Sequence, residues 1–328
     1  MQQIYKLVLI MLVFTISLDA QQLPLFTQYR ENFTLINPSI VAMDRMGFSS
    51  ETDSKVGVSY RHQWDPIWDG PRTMSAQYEH YMEKSNMVLG GSMYRDQTGP
   101  INITGLKLRY AYQVWMSRYT FWSIGVSAGY GQYQFRGDEG IYQDPGDILG
   151  FTRHTKSLAD FSVGTYFNTE LHNRDIFYAG ASVPQTAVIN FGGSDSNDDF
   201  YVYRKPHMYA MLGYYKYLGD GIGGRDGALY LEPSIWMKYI PNAPFQPDLN
   251  LRLRMNDLFW VGCGYSFSVL DKFRSDNVHL EAGVIISNSN YLDDQQFIIG
   301  IGYDNSLSSY GQFLGNTYEI NISYAWSR

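Results

Sequence analysis

The side chains best suited to chemistry are four histidines, a cluster of aspartates and a few basic residues that alternate with apolar ones. A hydrolase would need one of His154, His172, His207 or His279 beside a serine or carboxylate partner. No spacing in the chain singles out such a pair. A glycine-rich phosphate loop, a nucleophile elbow and paired metal-binding histidines are also missing from the sequence. Asp195, Asp198 and Asp199 stand with Gly192, Gly193 and Asn197 in an oxygen-rich stretch. Such a stretch can hold calcium, but a solvated loop has the same composition and is the favoured reading. Lys107, Arg109, Arg252 and Arg254 fall in the polar phase of their segments. They would line an anion-attracting lumen or, the favoured reading, pair with carboxylates. Cys263 is the single cysteine, so no internal disulfide forms, and its apolar phase marks a small packing residue rather than a reactive thiol. The chain therefore reads as non-enzymatic, without cofactor or metal.

Composition points to where such residues would be held. Charged residues are 17% and aromatic residues 16%, with 28 Tyr and 31 Gly. Soluble domains carry about 25% charge. After residue 20 no apolar run is long enough for a membrane helix. An aromatic-rich, charge-poor chain without such runs fits transmembrane strands, where alternate residues meet lipid and Tyr and Trp sit at the interfaces. The net charge of −7 and the lack of any basic block speak against nucleic acid as a partner.

Residues 1–20 read as a signal peptide: Lys6, an apolar stretch from Leu7 to Leu18, and a cleavage site closing at Ala20. Residues 21–54 lack clean alternation, and residues 55–328 carry it throughout. Leu106, Leu108, Tyr110 and Tyr112 alternate with Lys107, Arg109, Ala111 and Gln113. Trp122, Ile124, Val126, Ala128 and Tyr130 alternate with Ser and Gly, and Leu249, Leu251 and Leu253 with Asn250, Arg252 and Arg254. In the last segment Tyr318, Ile320, Ile322, Tyr324 and Trp326 form the apolar phase, aromatic at both ends as girdles around a hydrocarbon band would be. Trp260 breaks the pattern at one end of its segment.

About fourteen strands are predicted, starting near Lys55, Arg72, Met87, Ile103, Tyr119, Ser157, Asp175, His207, Ala228, Pro247, Leu258, Val278, Gln296 and Thr317. An even number suits a single-chain barrel with both termini in the periplasm. Turns after even-numbered strands are mostly brief, and Arg136–Lys156 and Pro184–Pro206 are the longest connections after odd ones. The fold class is thus all-β, a transmembrane antiparallel barrel with an up-and-down meander, in a Gram-negative outer membrane. Arg in the apolar phase, at Val126 or Ile322, is expected to be more damaging than Arg at Ser127 or Asn321 on the other face.

Several segments in order resemble the PorP/SprF family of type IX secretion-system membrane proteins from Bacteroidetes. Gln28-Tyr29, Asn32 and Asn37-Pro38-Ser39 are similar to that family's opening Q-Y…N…I-N-P string, although Ser39 to Ala42 departs from its end. Arg61-His62-Gln63-Trp64 with Gly70-Pro71 and Thr73 resembles its R-x-Q-W…G-x-P-x-T. Asp96, Gly99-Pro100 and Tyr110-Ala111-Tyr112 fit its third and fourth strands, Leu249–Trp260 and Ile299–Asn305 its later ones, and Tyr318 to Tyr324 its closing one, with Tyr where His is common. The resemblance implies a component that exports or surface-anchors secreted proteins, in some members one large adhesin that often serves gliding. It implies as partners the periplasmic and motor components of that system and the cargo's or adhesin's C-terminal domain, beside outer-membrane lipid. A passive channel or hydrophobic-solute transporter is the alternative.

Gln28, Tyr29, Asn37, Pro38, Arg61 and Trp64 are the candidate contact residues. Phe26, Tyr29, Phe33, Leu35 and Ile36 make residues 21–54 too apolar for a free linker. That segment is either a strap over the periplasmic mouth or in the lumen, or a docking surface for a periplasmic partner.

Overall fold

The computed structural model describes residues 26–41, 52–139, 152–193, 205–220, 228–255, 258–269, 273–290, 293–308 and 311–327. Fourteen antiparallel strands pair in sequence order, and the last closes on the first to make a barrel. They are β1 (Ser54–His62), β2 (Arg72–Met82), β3 (Met87–Thr98), β4 (Ile101–Ser117), β5 (Thr120–Arg136), β6 (Arg153–Glu170) and β7 (Ile176–Gly193). The second half comprises β8 (Met208–Asp220), β9 (Ala228–Tyr239), β10 (Gln246–Met255), β11 (Phe259–Val269), β12 (Phe273–Asn290), β13 (Asp293–Ser306) and β14 (Asn316–Trp326). The seam is fully laddered, from Ser54 opposite Trp326 to His62 opposite Tyr318. Closure gives every strand a hydrogen-bonded neighbour on both sides, a condition for crossing a bilayer with strands.

The apolar phase is the exposed one. Leu106, Leu108, Tyr110 and Tyr112 are exposed, while Lys107, Arg109, Ala111 and Gln113 between them are buried. Ile320 and Ile322 of β14 are exposed, with Glu319, Asn321 and Ser323 buried. A water-soluble sandwich would bury the opposite set. This inside-out pattern is the surface of a protein dissolved in hydrocarbon. Cys263 lies on that outer face. Trp260 keeps the opposite phase and is 2% exposed, because Gly283 and Gly300 leave space for its indole inside the barrel.

The wall is uneven. β7 continues to Gly193, so Pro184 to Gly193, expected as loop, is strand. β6 and β12 also begin earlier than expected, at Arg153 and Phe273. Among the described residues, β7 past Pro184 pairs with β6 alone, so this hairpin extends beyond the ladder with its neighbour β8. The odd-even difference in loop length also has exceptions, since only Gly99 and Pro100 join β3 to β4. Asp195, Asp198 and Asp199 lie outside the described residues.

Val126 is 49% exposed at mid-strand on the lipid face, so Val126→Arg should cost about 2–4 kcal/mol and reduce the heat-modifiable folded band in membranes. The expected mildness of Arg at Asn321 does not follow. That side chain is 6% exposed and hydrogen-bonded to Gln28 and Asn32, so Arg there would collide with packed protein rather than enter water.

Candidate functional site: a chain segment inside the barrel

Most inward residues of the wall are buried. They hold residues 26–41, which bond to strands all around the ring: to β1 at Ser59 and Arg61, β2 at Gln77, β4 at Arg109, β5 at Ser123, β6 at Thr165, β7 at Ala181 and Ser182, β9 at Glu232 and Ser234, and β12 to β14 at Glu281, Asp304 and Glu319. A segment bonded to opposite walls of a closed barrel lies in its lumen. Phe26 to Val41 are buried except Glu31, Thr34 and Leu35, which are half-buried.

The segment is shaped by its own sequence before it meets the wall. Residues Phe33–Ile36 make a single helical turn, closed by the Asn37 N–H on the Phe33 carbonyl at 2.8 Å. Pro38 biases Asn37 away from the helical region, and Asn37 is extended, with φ −137° and ψ 115°. The Asn37 Oδ1 then accepts the Ser39 N–H at 3.0 Å and the Ser39 hydroxyl at 2.7 Å, an Asx turn. Its Nδ2 donates to the Thr165 and Ala181 carbonyls at 3.1 and 3.3 Å. Asn-Pro-Ser is therefore a corner that both turns the chain and pins it to β6 and β7.

Glycines make the socket for this corner. A Cβ at Gly125 would overlap the Pro38 carbonyl group, and one at Gly164 would overlap the Asn37 side-chain amide. Only a residue without a side chain allows so close an approach. Gly300 and Gly302 play the same part for Gln28 and Thr27.

Charge fixes the other half. Arg30, whose side chain is 1% exposed, donates through Nε to Glu232 at 2.9 Å and through Nη1 to Glu281 at 3.3 Å. Arg252 also binds Glu281, at 2.6 Å. Tyr29 stacks on Trp236 with ring centroids 4.9 Å apart and an interplanar angle of 18°, and the Arg30 guanidinium lies 4.5 Å from the Tyr29 ring centroid. Arg61 reaches inward from β1 to Asp304 at 2.6 Å, Glu319 at 3.0 Å and the Thr27 hydroxyl. Glu319 in turn accepts the Thr27 N–H at 2.7 Å. Arg109 binds Glu79 and donates to the Ile40 carbonyl at 2.6 Å. Lys107 meets Asp160 at 3.2 Å. The carboxylate-paired reading of Lys107, Arg109 and Arg252 is thus the correct one, and the anion-attracting lumen is not.

Of the six candidate residues, Gln28, Tyr29, Asn37, Pro38 and Arg61 meet around this segment. Gln28 donates to the Ile301 carbonyl and accepts from Asn321. Trp64 does not join them: it lies in the connection between β1 and β2, with φ 58°, and its carbonyl accepts the Ile67 N–H. The residues the sequence did not single out are the acceptors, Glu232, Glu281, Asp304 and Glu319, and the aromatic platform, Trp236. Their signal is an acidic or bulky residue in the inward phase of its strand.

A closed fourteen-strand meander with an apolar outer face and a packed polar interior is an outer-membrane β-barrel. The sequence matches the model of the type IX secretion system membrane protein PorP/SprF family over residues 18–324, and the chain belongs to that family. It is an outer-membrane component of type IX secretion. No curated protein matches the chain. Among solved structures, the CymD monoaromatic hydrocarbon channel is similar at TM-score 0.48 and 9% identity, over 88% of this chain and 94% of that one. A Pseudomonas aeruginosa FadL homologue gives TM-score 0.45 and 9% identity, over 88% and 92%. CdiB from Acinetobacter baumannii gives 0.41 and 9%, over 84% of this chain and 60% of CdiB.

Proposed function

We propose that this protein is a non-enzymatic, plugged barrel that serves the type IX machinery as a fixed membrane station and does not itself conduct. In this role it supports export or surface attachment of secreted proteins, such as a large adhesin of the kind that serves gliding. Its partners are the periplasmic and motor components of the system and the C-terminal domain of the cargo. The observation that carries the reading is the lumen filled by residues 26–41, whose polar groups are matched by the wall. A passive channel or solute transporter needs an open path, and the buried Arg30–Glu232 and Arg61–Glu319 pairs lie across it.

The same contacts favour residues 21–54 as a strap over the docking reading. Gln28, Tyr29, Asn37 and Pro38 face the barrel interior, where a periplasmic protein has no access. Among the described residues, the lumen groups best placed for catalysis, Glu232, Glu281 and His279, are bonded to Arg30, Arg252 and Asn250, which supports a structural role for them.

The test combines conductance with export. The purified full-length protein should show no conductance steps in planar bilayers. A deletion strain should retain type IX cargo inside the cell and recover export on complementation. Steady conductance together with normal export in the deletion strain would overturn the proposal and restore the channel.

A further inference from the structure

The lipid face is not convex everywhere. A groove of about 520 Å³ crosses its outer surface over β12, β13, β14 and β1. Two rows of cross-strand neighbours frame it. In the lower row Tyr60 stands opposite Ile320, Ile320 opposite Ile301, and Ile301 opposite Ala282. In the row above, Tyr318 pairs with Tyr303 and Tyr303 with Leu280. Ala282 offers only a methyl group beside Leu280 and Ile301, both exposed, so the surface dips between taller neighbours. The groove crosses the seam at which the barrel closes, β14 against β1. Glu281 and Glu319 border it, while their carboxylates bind Arg252 and Arg61 inside the lumen.

The strand ends set its depth in the membrane. Tyr60 lies two residues before the end of β1, Tyr303 three before the end of β13, and Tyr318 two after the start of β14. All three border the connections β1–β2 and β13–β14, away from the end that carries the start of β1 and the turn Glu83–Ser85. Short turns mark the periplasmic side of such barrels, so the three tyrosines stand at the outer interface. There a ring rests in hydrocarbon and its hydroxyl points to the headgroups. The Tyr303 and Tyr318 ring centroids are 5.6 Å apart, and the Tyr303 hydroxyl donates to Asn316 Oδ1 at 2.9 Å. Asn305 Nδ2 donates to the same oxygen at 3.0 Å. An apolar trough thus lies under a tyrosine rim, with side-chain amides at the rim.

We propose that this groove binds one acyl chain of an outer-leaflet lipid whose headgroup stands at the tyrosine rim. Hydrocarbon already surrounds this face, so apolarity alone favours no occupant. Shape does. A chain in a trough has wall atoms on three sides, a chain on a convex wall has them on one, and each contact adds dispersion energy. A protein neighbour fits less well. Proteins pack within membranes through small residues and polar contacts, and this face presents Tyr, Ile and Leu around a single Ala. The volume lies within the roughly 300–1,000 Å³ of pockets that hold small ligands. The inference rests on the membrane-embedded barrel and is independent of the secretion reading. It implies that the lipid spans the closing seam from outside, where Arg61 spans it from inside to Asp304 and Glu319.

Native mass spectrometry of the delipidated full-length protein in detergent tests this, with palmitoyl-oleoyl phosphatidylethanolamine as the probe. One lipid should survive the collisional energy that strips the others. Ala282→Phe fills the groove on a face that accepts larger apolar side chains, and it should lose that lipid. Ala128→Phe, exposed on β5 across the barrel, should keep it. Should Ala282→Phe lower the heat-modifiable band, Ala282→Leu replaces it. In vesicles, the same lipid with a diazirine midway along one chain should mark peptides around Ile301 and Ile320 several-fold more than those around Val126. The proposal is overturned if no lipid outlasts the others, if the groove-filling variant retains it, or if adducts spread evenly over the lipid face. A second protein chain retained by the wild type and lost in Ala282→Phe would assign the groove to a protein and overturn it too. None of these readouts involves export, so failure here leaves the secretion reading standing.

Discussion

Arg30→Met should destabilise the folded barrel by about 3–5 kcal/mol, the cost of leaving a buried charge without its partner. Glu232 is the group left behind. Its side chain is fully buried, and without Arg30 it retains the hydroxyl of Tyr178 as a hydrogen-bond donor. Glu281 suffers less because Arg252 still holds it at 2.6 Å. The loss should therefore be recovered in large part by Glu232→Gln in the same chain, which removes the stranded charge but keeps the shape. Arg30→Lys should fall between the two, since an ammonium cannot reach Glu232 and Glu281 with the fixed fork of a guanidinium. The measurement is the urea midpoint of the heat-modifiable band for the four proteins in one lipid. Equal midpoints for wild type and Arg30→Met would mean that the pair is not formed in the membrane-embedded protein.

The strands were legible because hydrocarbon imposes its demand on every second residue within the membrane. Val126, Leu108 and Ile320 have to be apolar there, and period-two alternation marks them without help from tertiary structure. Above the membrane that demand ends, and so does the signal. The extra lengths of β6 and β12, Arg153 to Lys156 and Phe273 to Asn277, are mixed sequences that alternate poorly. Gln185, with φ 58°, interrupts β7 where Pro184 suggested a loop. What keeps these stretches in strand is pairing with the neighbouring strand.

The lumen segment was half legible. Its apolar residues and its Asn-Pro corner showed that it must pack on something, but its partners lie up to 293 positions away in the chain. Nothing local marks Glu319 as the acceptor for Thr27 or Trp236 as the platform for Tyr29. One trace does exist. Gly125, Gly164 and Gly300 occupy inward positions where a wet lumen would tolerate any polar side chain, and their contacts are with Pro38, Asn37 and Gln28. Inward glycines therefore mark the space a buried segment needs, in the same register that marks the lipid face.

Changing Tyr29, Asn37 and Pro38 together to Ala should lower the amount of folded barrel in step with secretion. Tyr29→Ala removes a ring 2% exposed and stacked on Trp236, a loss of about 3–5 kcal/mol for a large buried aromatic side chain. Asn37→Ala deletes four hydrogen bonds, two that shape the corner and two that bind it to β6 and β7. The polar groups abandoned in the interior cost about 1–3 kcal/mol more. Pro38→Ala frees the backbone at the one place where the segment must turn against Gly125. Together these losses, about 4–8 kcal/mol, match the whole stability of a domain in the lower half of the ordinary range of about 5–15 kcal/mol, and the folded population of such a barrel falls visibly. The decisive comparison is heat-modifiable folding against export, measured in the same cells at matched expression. Folding and export that decline together establish the segment as part of the barrel's own core. A variant that folds at wild-type levels while export fails would mean that these side chains leave the lumen to meet a partner, and the plugged station would have to become a released tether.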